Sequence, residues 1–330
     1  MRLIALAVVL WSAVASASTG QDRATAAGRD LIGQPAPRLT LSTIDGKRID
    51  LGSLYGKKAV YLKFWATWCV PCREQMPHFE RTFQTAGPNL AVIAVNAGFS
   101  DSLDEVRDYR RTVGLHMPIV IDDGRLADAL HLRVTPQHVV IGRDGRILYV
   151  GHLVDDALTQ ALARAQAEPA GAVAPGASPR AAPPVDHVPP RRVATLDGQS
   201  VALDAAGAPL VLVFLSPWCE SYLEKSRPGR SRACRAAREA IEARLAKDSA
   251  THYLGIASGL WASREDLEEY RSKEKVALPL ALDETGELFR TFGVREVPQI
   301  LVVDRDGRIV ERLSSAGAPL EEALARLAKR

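Results

Sequence analysis

"FWATWCVPC" (residues 64–72) separates Cys69 from Cys72 by two residues, with Trp68 directly before the first cysteine and Pro71 directly before the second. The run that leads into it, "AVYLKFWATWC" (59–69), is rich in β-forming apolar residues and reads as a buried strand that ends at the Trp-Cys pair. After it, "REQMPHFERTFQTA" (73–86) has helical spacing, and Pro77 inside it is expected to kink the helix. Paired cysteines at a strand-to-helix junction serve one of three chemistries: a metal site, a structural staple, or electron transfer.

A structural zinc site takes four ligands. His78, His116, His131, His138 and His152 are scattered through this half without ligand spacing, and no second C-x-x-C accompanies the first, so no metal is expected. Closing so short a loop removes little entropy from the unfolded chain, which weakens the staple reading. The redox reading uses every residue of the motif. A cysteine that opens a helix meets free backbone N–H groups and the positive end of the helix dipole, which stabilise its thiolate and bring its pKa below about 8.5. The thiolate is the attacking species, and a second cysteine one turn on can break a mixed disulfide formed at the first. Pro71 suits an early helical position, where its missing N–H would have had no partner. Trp68 reads either as a wall of the site or as plain packing.

The rest of the chain gives this motif its setting. A length of 330 residues suggests two domains. A hydrophobic content of 47% with 25% charged residues is ordinary for a soluble globular protein, and no stretch reaches the roughly 18 uninterrupted apolar residues of a membrane span. The net charge of +3 gives no support for a nucleic-acid partner. At the N-terminus, Arg2 precedes an apolar run from Leu3 to Val14, followed by Ala15, Ser16 and Ala17 with A-x-A spacing. Residues 1–17 are therefore expected to be a cleaved export signal, with membrane association only if the segment stays uncleaved. Outside the cytosol a disulfide persists. The chain has 4 cysteines, Cys69, Cys72, Cys219 and Cys234, too few for a disulfide scaffold in domains of this size.

One module is written twice. "IDGKRIDL" (44–51) is answered by "LDGQSVAL" (196–203), each with Asp-Gly between alternating apolar residues, the signal of a tight hairpin. "AVYLKFWATWC" is answered by "PLVLVFLSPWC" (209–219), and "VTPQHVVIGRDGRI" (134–147) by "EVPQILVVDRDGRI" (296–309). Three anchors in one order mark an internal repeat. Between them "LAVIAVNA" (90–97) reads as a buried strand and "SLDEVRDYRRTVG" (102–114) as a helix capped by Ser102 or Asp101. Strands alternating with helices predict an α/β sheet with parallel pairs. "AEPAGAVAPGASPRAAPPVDHVPP" (167–190) has the composition of a semi-extended linker. The expected division is a signal at 1–17, a domain at 31–166, a linker at 167–190 and a second domain at 191–330.

With these features in hand, the first half resembles the thioredoxin superfamily, and in particular its exported TlpA and ResA-like branch. The likeness runs from about residue 31 to 165, and "IGQPAPRLTLSTIDGKRIDLGSLYGKKAVYLKFWATWCVPC" (32–72) is similar to the opening of that branch along its length. The resemblance implies two tandem thioredoxin-like folds, each a mixed central sheet flanked by helices. It implies that Cys69 is the nucleophile and Cys72 the resolving thiol. It further implies that Pro136 is a cis-proline facing them, and that Thr135, with Trp68, Val70 and Pro71, borders an extended substrate. No cofactor is expected. One residue departs from the pattern: Lys63 stands in the strand ahead of Cys69, where thioredoxins carry a buried acidic residue and this branch often has Asn. A lysine there either snorkels to solvent or perturbs Cys72.

The second half keeps Trp218 and Cys219, but Tyr222 stands where Cys72 stands in the first, so C-x-x-C chemistry is excluded there. Cys234 lies further on, in an insertion crowded with Arg227, Arg230, Arg232, Arg235 and Arg238. Either Cys219 and Cys234 form a stapling disulfide, worth about 3 kcal/mol by loop entropy, or they are a second redox pair whose thiolate those arginines favour. The arginines read equally well as a solvated helix face. Neither Trp-Cys stretch supplies the Pro-x-x-x-Thr-x-x-Cys setting of a peroxidatic cysteine, and His252 alone does not make a copper site. The expectation is an exported thiol-disulfide oxidoreductase that reduces disulfides of protein clients and is itself re-reduced by an upstream thiol donor. The alternative is an adaptor for a cytochrome-maturation or metal-loading client, with the second half as docking module.

Overall fold

The computed structural model describes residues 20–169, 171–180, 183–204 and 207–328, so the expected signal at 1–17 lies outside the described residues. Two five-stranded mixed sheets form the frame. The first unit contains β1 (Thr40–Ser42), β2 (Arg48–Asp50), β3 (Ala59–Trp65), β4 (Leu90–Asn96), β5 (Ile119–Ile121), β6 (Gln137–Ile141) and β7 (Ile147–Gly151), with sheet order β5-β4-β3-β6-β7. The second unit contains β8 (Arg192–Ala194), β9 (Ser200–Ala202), β10 (Leu210–Leu215), β11 (His252–Ser258), β12 (Leu280–Asp283), β13 (Gln299–Val303) and β14 (Ile309–Leu313), with order β12-β11-β10-β13-β14. In each, the central strand pairs parallel with the strand after it in sequence and antiparallel with the one that follows the proline, β6 or β13. The repeat read from the sequence is a repeat of topology: two thioredoxin-like folds.

Local chemistry explains the shared turns. The four Asp-Gly pairs of the repeated hairpins put their glycine at positive φ, Gly46 at 79°, Gly145 at 78°, Gly198 at 74° and Gly307 at 78°, a conformation that a Cβ would strain. The Leu103–Val113 helix starts at Ser102 in a capping box with Glu105, which decides between the two candidate caps, and Ser263 with Asp266 does the same for Arg264–Glu274. Thr135–Pro136 and Val297–Pro298 are both cis peptide bonds at the start of corresponding strands.

The central strands are buried on both faces. On β3, Val60, Leu62 and Phe64 join the apolar cluster under β1 and β2, while Ala59, Tyr61 and Trp65 face the Val70–Gln84 helix. Each such side chain contributes about 1.5–3 kcal/mol by leaving water. The second of these clusters does not stop at the edge of its unit. It runs through Trp68 and Phe99 to Phe214, Phe289 and Phe292, so the two units share apolar packing.

The described residues between the units contain neither helix nor strand, as a linker composition predicts, yet they are packed down: Arg38 N donates to Ala177 O in the first unit and Val185 N to Thr291 O in the second. Among the described residues, no helix is long and apolar enough to cross a membrane.

In the second unit the insertion forms the Pro228–Leu245 helix, tied back by a Cys219–Cys234 disulfide. Its arginines divide: Arg232 and Arg235 are exposed, as on a solvated helix face, whereas Arg238 is buried in an ion pair. Arg238 makes two 2.9 Å bonds to Glu220, and Tyr270 Oη donates to the same carboxylate at 2.6 Å. Burial works against the Glu220 charge, but these hydrogen bonds outweigh it and hold the carboxyl below its usual range. Glu220→Ala should leave Arg238 without its main partner and lower the unfolding free energy by about 3 kcal/mol, read from urea unfolding of the second unit. An unchanged urea midpoint would contradict this account of the buried pair.

Candidate functional site

β3 delivers the chain to a turn at Ala66 and Thr67, and the Val70–Gln84 helix begins at once with Cys69 as its N-cap. The Cys72 N–H donates to Cys69 Sγ at 3.2 Å, and Pro71 sits in the first helical turn. The two cysteines are joined, S–S 2.03 Å with Cα atoms 5.2 Å apart. Cys69 Sγ lies 3.5 Å from the Thr135 carbonyl oxygen, so the residue before the cis-proline faces the disulfide. The same helix N–H touches Cys69 Sγ, while Cys72, one helical turn on, is 0% exposed.

Beneath the pair is a polar chain inside the core. Gln75 Nε2 donates to His152 O at 3.1 Å, which fixes its Oε1 toward His138 Nε2 at 2.8 Å and Lys63 Nζ at 3.4 Å. Gln75 Oε1 can only accept, so His138 carries its proton on Nε2, and Nδ1 accepts from Tyr61 Oη at 2.8 Å. Burial pushes the His138 imidazole well below its usual pKa and keeps it neutral. His152 Nδ1 in turn donates to Pro136 O at 2.6 Å, which links this chain to the cis-proline. Lys63 does not snorkel: it is 0% exposed, with its ammonium 5.6 Å from the centre of the Phe79 ring, and burial lowers its pKa to about 7.

Above the pair is the second unit, whose contribution the sequence reading missed. Trp68 stacks on Trp218, its counterpart in the repeat, at 4.6 Å between ring centroids, and Trp261 meets Trp68 edge-on at 4.6 Å. Tyr222 Oη accepts from Val70 N at 2.9 Å, and Trp261 Nε1 donates to Thr135 Oγ1 at 2.7 Å. Arg227 donates to Thr67 Oγ1 at 2.6 Å and pairs with Asp101 at 2.7 Å, where the Asp101 side chain is 0% exposed. Trp68, Cys69, Pro71, Thr135, Trp218, Tyr222 and Trp261 thus converge around one cavity of about 300 Å³, and Cys69 is only 2% exposed. The sequence signal available was the second Trp-Cys itself. Trp218 without a C-x-x-C of its own packs directly on Trp68.

A thioredoxin-type sheet that presents a C-x-x-C disulfide at a helix start, opposite a cis-proline, defines a thiol-disulfide oxidoreductase. Residues 32–150 match the AhpC/TSA family. The thiol-disulfide oxidoreductase ResA of Bacillus subtilis (strain 168) is 33% identical over 128 residues, which span 38% of this chain and 70% of that protein. The thioredoxin-like protein YneN of the same organism is 35% identical over 133 residues, 39% of this chain and 78% of that protein. A thioredoxin-family thiol:disulfide interchange protein from Chlorobium tepidum TLS, a solved structure, is 28% identical over 41% of this chain and 97% of its own, with a TM-score of 0.34. The chain belongs to the ResA-like, thioredoxin-fold thiol-disulfide oxidoreductases, and is an enzyme of that class. The second unit lies outside the AhpC/TSA match.

The buried lysine gives a titration with a definite sign. Unfolded, Lys63 holds its proton to about pH 10.4, whereas in the fold its pKa is about 7. Between those values the unfolded chain binds more protons, so stability of the oxidised protein should rise with pH across that window. Lys63→Met should remove this rise and stabilise the protein at pH 6.5 by on the order of a few kcal/mol, measured by urea unfolding at pH 6.5 and 9.5. Equal pH slopes for the two proteins would contradict a buried, neutralised lysine.

Proposed function

We propose that the first unit reduces disulfides of exported protein clients, with Cys69 as nucleophile and Cys72 as resolving thiol. The observation that carries this is the contact of Cys69 Sγ with a helix N-terminal N–H, while Cys72 lies buried one turn below. In the reduced enzyme the Cys69 thiolate attacks a client disulfide, and the client's S–S bond breaks as a mixed disulfide forms, freeing one client thiol. The Cys72 thiolate then attacks Cys69 Sγ, which re-forms the Cys69–Cys72 bond and releases the second client thiol. Two electrons pass to the client, and an upstream thiol donor returns them.

Trp68, Val70, Pro71 and Thr135 border the substrate in this reading, and Pro136 holds the Thr135 carbonyl against Cys69. The division into a first domain at 31–166, a linker at 167–190 and a second domain at 191–330 is part of the same proposal. Export rests on the order of charge, apolar run and small residues within residues 1–17. The AhpC/TSA match raises peroxidase chemistry, but a partner cysteine one turn after Cys69 favours disulfide exchange, and the surrounding sequence lacks the peroxidatic Pro-x-x-x-Thr-x-x-Cys pattern.

Cys72→Ser should accumulate mixed disulfides with clients, seen as thiol-sensitive adducts on non-reducing gels, and Cys69→Ser should form none and lose catalysed insulin reduction. The redox midpoint should fall well below about −120 mV, the range of strong oxidants. Absence of adducts in Cys72→Ser, with function intact, would favour an adaptor over a reductase.

A further inference from the structure

The groups ringing Cys69 that a client would meet are already engaged. The Val70 N–H is taken by Tyr222 Oη, Thr135 Oγ1 by Trp261 Nε1, and the Arg133 carbonyl by Trp261 N at 3.0 Å. Trp68 is covered on one face by Trp218 and at its edge by Trp261. Taking Cys69 as the nucleophile, these are the donors, acceptors and apolar faces on which an extended polypeptide would dock. All of them are satisfied from the second unit. Tyr222, the residue that replaces the lost resolving cysteine, has not been left idle: it reaches across to the N-terminus of the helix that carries the surviving pair.

Resting on that reading of Cys69, we infer that the second unit occupies the client groove of the first and so sets the specificity of the redox pair. Small thiols and disulfides reach Cys69 through the cavity beside it, and a protein disulfide does so only by displacing the second unit. Tyr222, Trp261 and Arg227 are the specificity-determining residues.

Three features make the contact displaceable rather than a fixed core. A cavity of about 300 Å³ remains beside Cys69, and a second of about 600 Å³ lies between the units near Gly98, Arg133, Pro184 and Arg290, so the interface is broken by solvent-sized space. Its outer ion pairs are partly exposed: Arg290–Asp128 has side-chain exposures of 37% and 51%. The backbone changes from bonding the first unit at Ala177 to bonding the second at Val185, so the units stay tethered when they part and the cap returns at high effective concentration. The strongest single tie is Arg227, whose guanidinium meets Asp101, Thr67 Oγ1, the Ser100 carbonyl and Glu105.

Re-reduction by a small dithiol needs no displacement. One thiolate attacks Cys69 Sγ, the Cys69–Cys72 bond breaks with its electron pair leaving on Cys72, and that sulfur takes a proton. The second thiolate of the same molecule attacks its own mixed disulfide, closing an oxidised ring and leaving Cys69 reduced.

The test uses the full-length, reduced protein. Labelling of Cys69 by iodoacetamide is compared with labelling by a maleimide bearing a long polyethylene glycol chain, each read at the peptide level by mass spectrometry. In parallel, dithiothreitol-driven insulin reduction is followed. In the wild type, Cys69 should accept iodoacetamide and resist the bulky reagent. Arg227→Ala, and separately Arg295→Ala, whose guanidinium reaches the Asp122 carbonyl across the interface, should open the cap. Each should raise bulky labelling and insulin turnover about tenfold, as expected when the competent fraction grows by that factor. The rate at which dithiothreitol reduces Cys69–Cys72 should change little. Wild-type protein that shows no discrimination by size overturns the inference, as do folded variants that discriminate as the wild type does, and the wild-type labelling decides even if both variants misfold. Cys69 inert to both reagents in every variant instead overturns the redox reading on which the inference stands.

Discussion

An amide N–H aimed at a sulfur atom is the constraint from which the rest of this protein follows. For Cys69 to sit at the N-cap of a helix, β3 must end one turn earlier, the chain must bend at Ala66 and Thr67, and a proline must be tolerated in the first turn. The turn is held from the side by Asp101, which accepts from Thr67 N at 2.9 Å, Thr67 Oγ1 at 2.7 Å and Asn96 Nδ2 at 2.7 Å. A carboxylate that organises a loop this way is itself buried, and it needs a counter-charge. Arg227 of the second unit supplies it, so the loop that positions Cys69 is completed by a residue 126 positions away from Asp101.

That dependence gives the second unit a role without a C-x-x-C: its Trp218 stacks on Trp68, and its Tyr222 Oη accepts from Val70 N. The two units meet by the same elements: Trp68 Nε1 donates to Phe99 O, and Trp218 Nε1 to Leu260 O. Across the interface, Ser100 N donates to Arg295 O and Trp261 N to Arg133 O. The pairing is a pseudo-twofold of two corresponding faces, of which only the first carries a C-x-x-C. Stacked and edge-on aromatic rings, as in Trp68–Trp218 and Trp68–Trp261, contribute about 0.5–1.5 kcal/mol each beyond their buried area.

Below the disulfide, Lys63, Gln75, His138 and Tyr61 form a polar chain inside the core. Gln75 is the pivot, since its fixed amide orientation sets the tautomer of His138, and His152 carries the connection to Pro136. Lys63 has only one weak hydrogen-bond partner there and lies near neutrality in its protonation.

Much of this was written locally. Alternating apolar residues, four Asp-Gly turns, a Ser-x-x-Glu cap and two cysteines at helical spacing act over a few residues, where backbone sterics and periodicity decide the outcome, and so the strands, the repeat and the Cys69–Cys72 site could be read from the sequence. The fate of Lys63, the use of the insertion's arginines as ion-pair partners, and the recruitment of Tyr222 and Trp261 to the redox site were decided only by tertiary structure. Each depends on what a side chain meets once the segments have packed, from Lys63 and Gln75, 12 positions apart, to Tyr222 and Val70 across 152 positions. No local period carries that information, because burial and partner choice belong to the assembled surfaces rather than to the segments that form them.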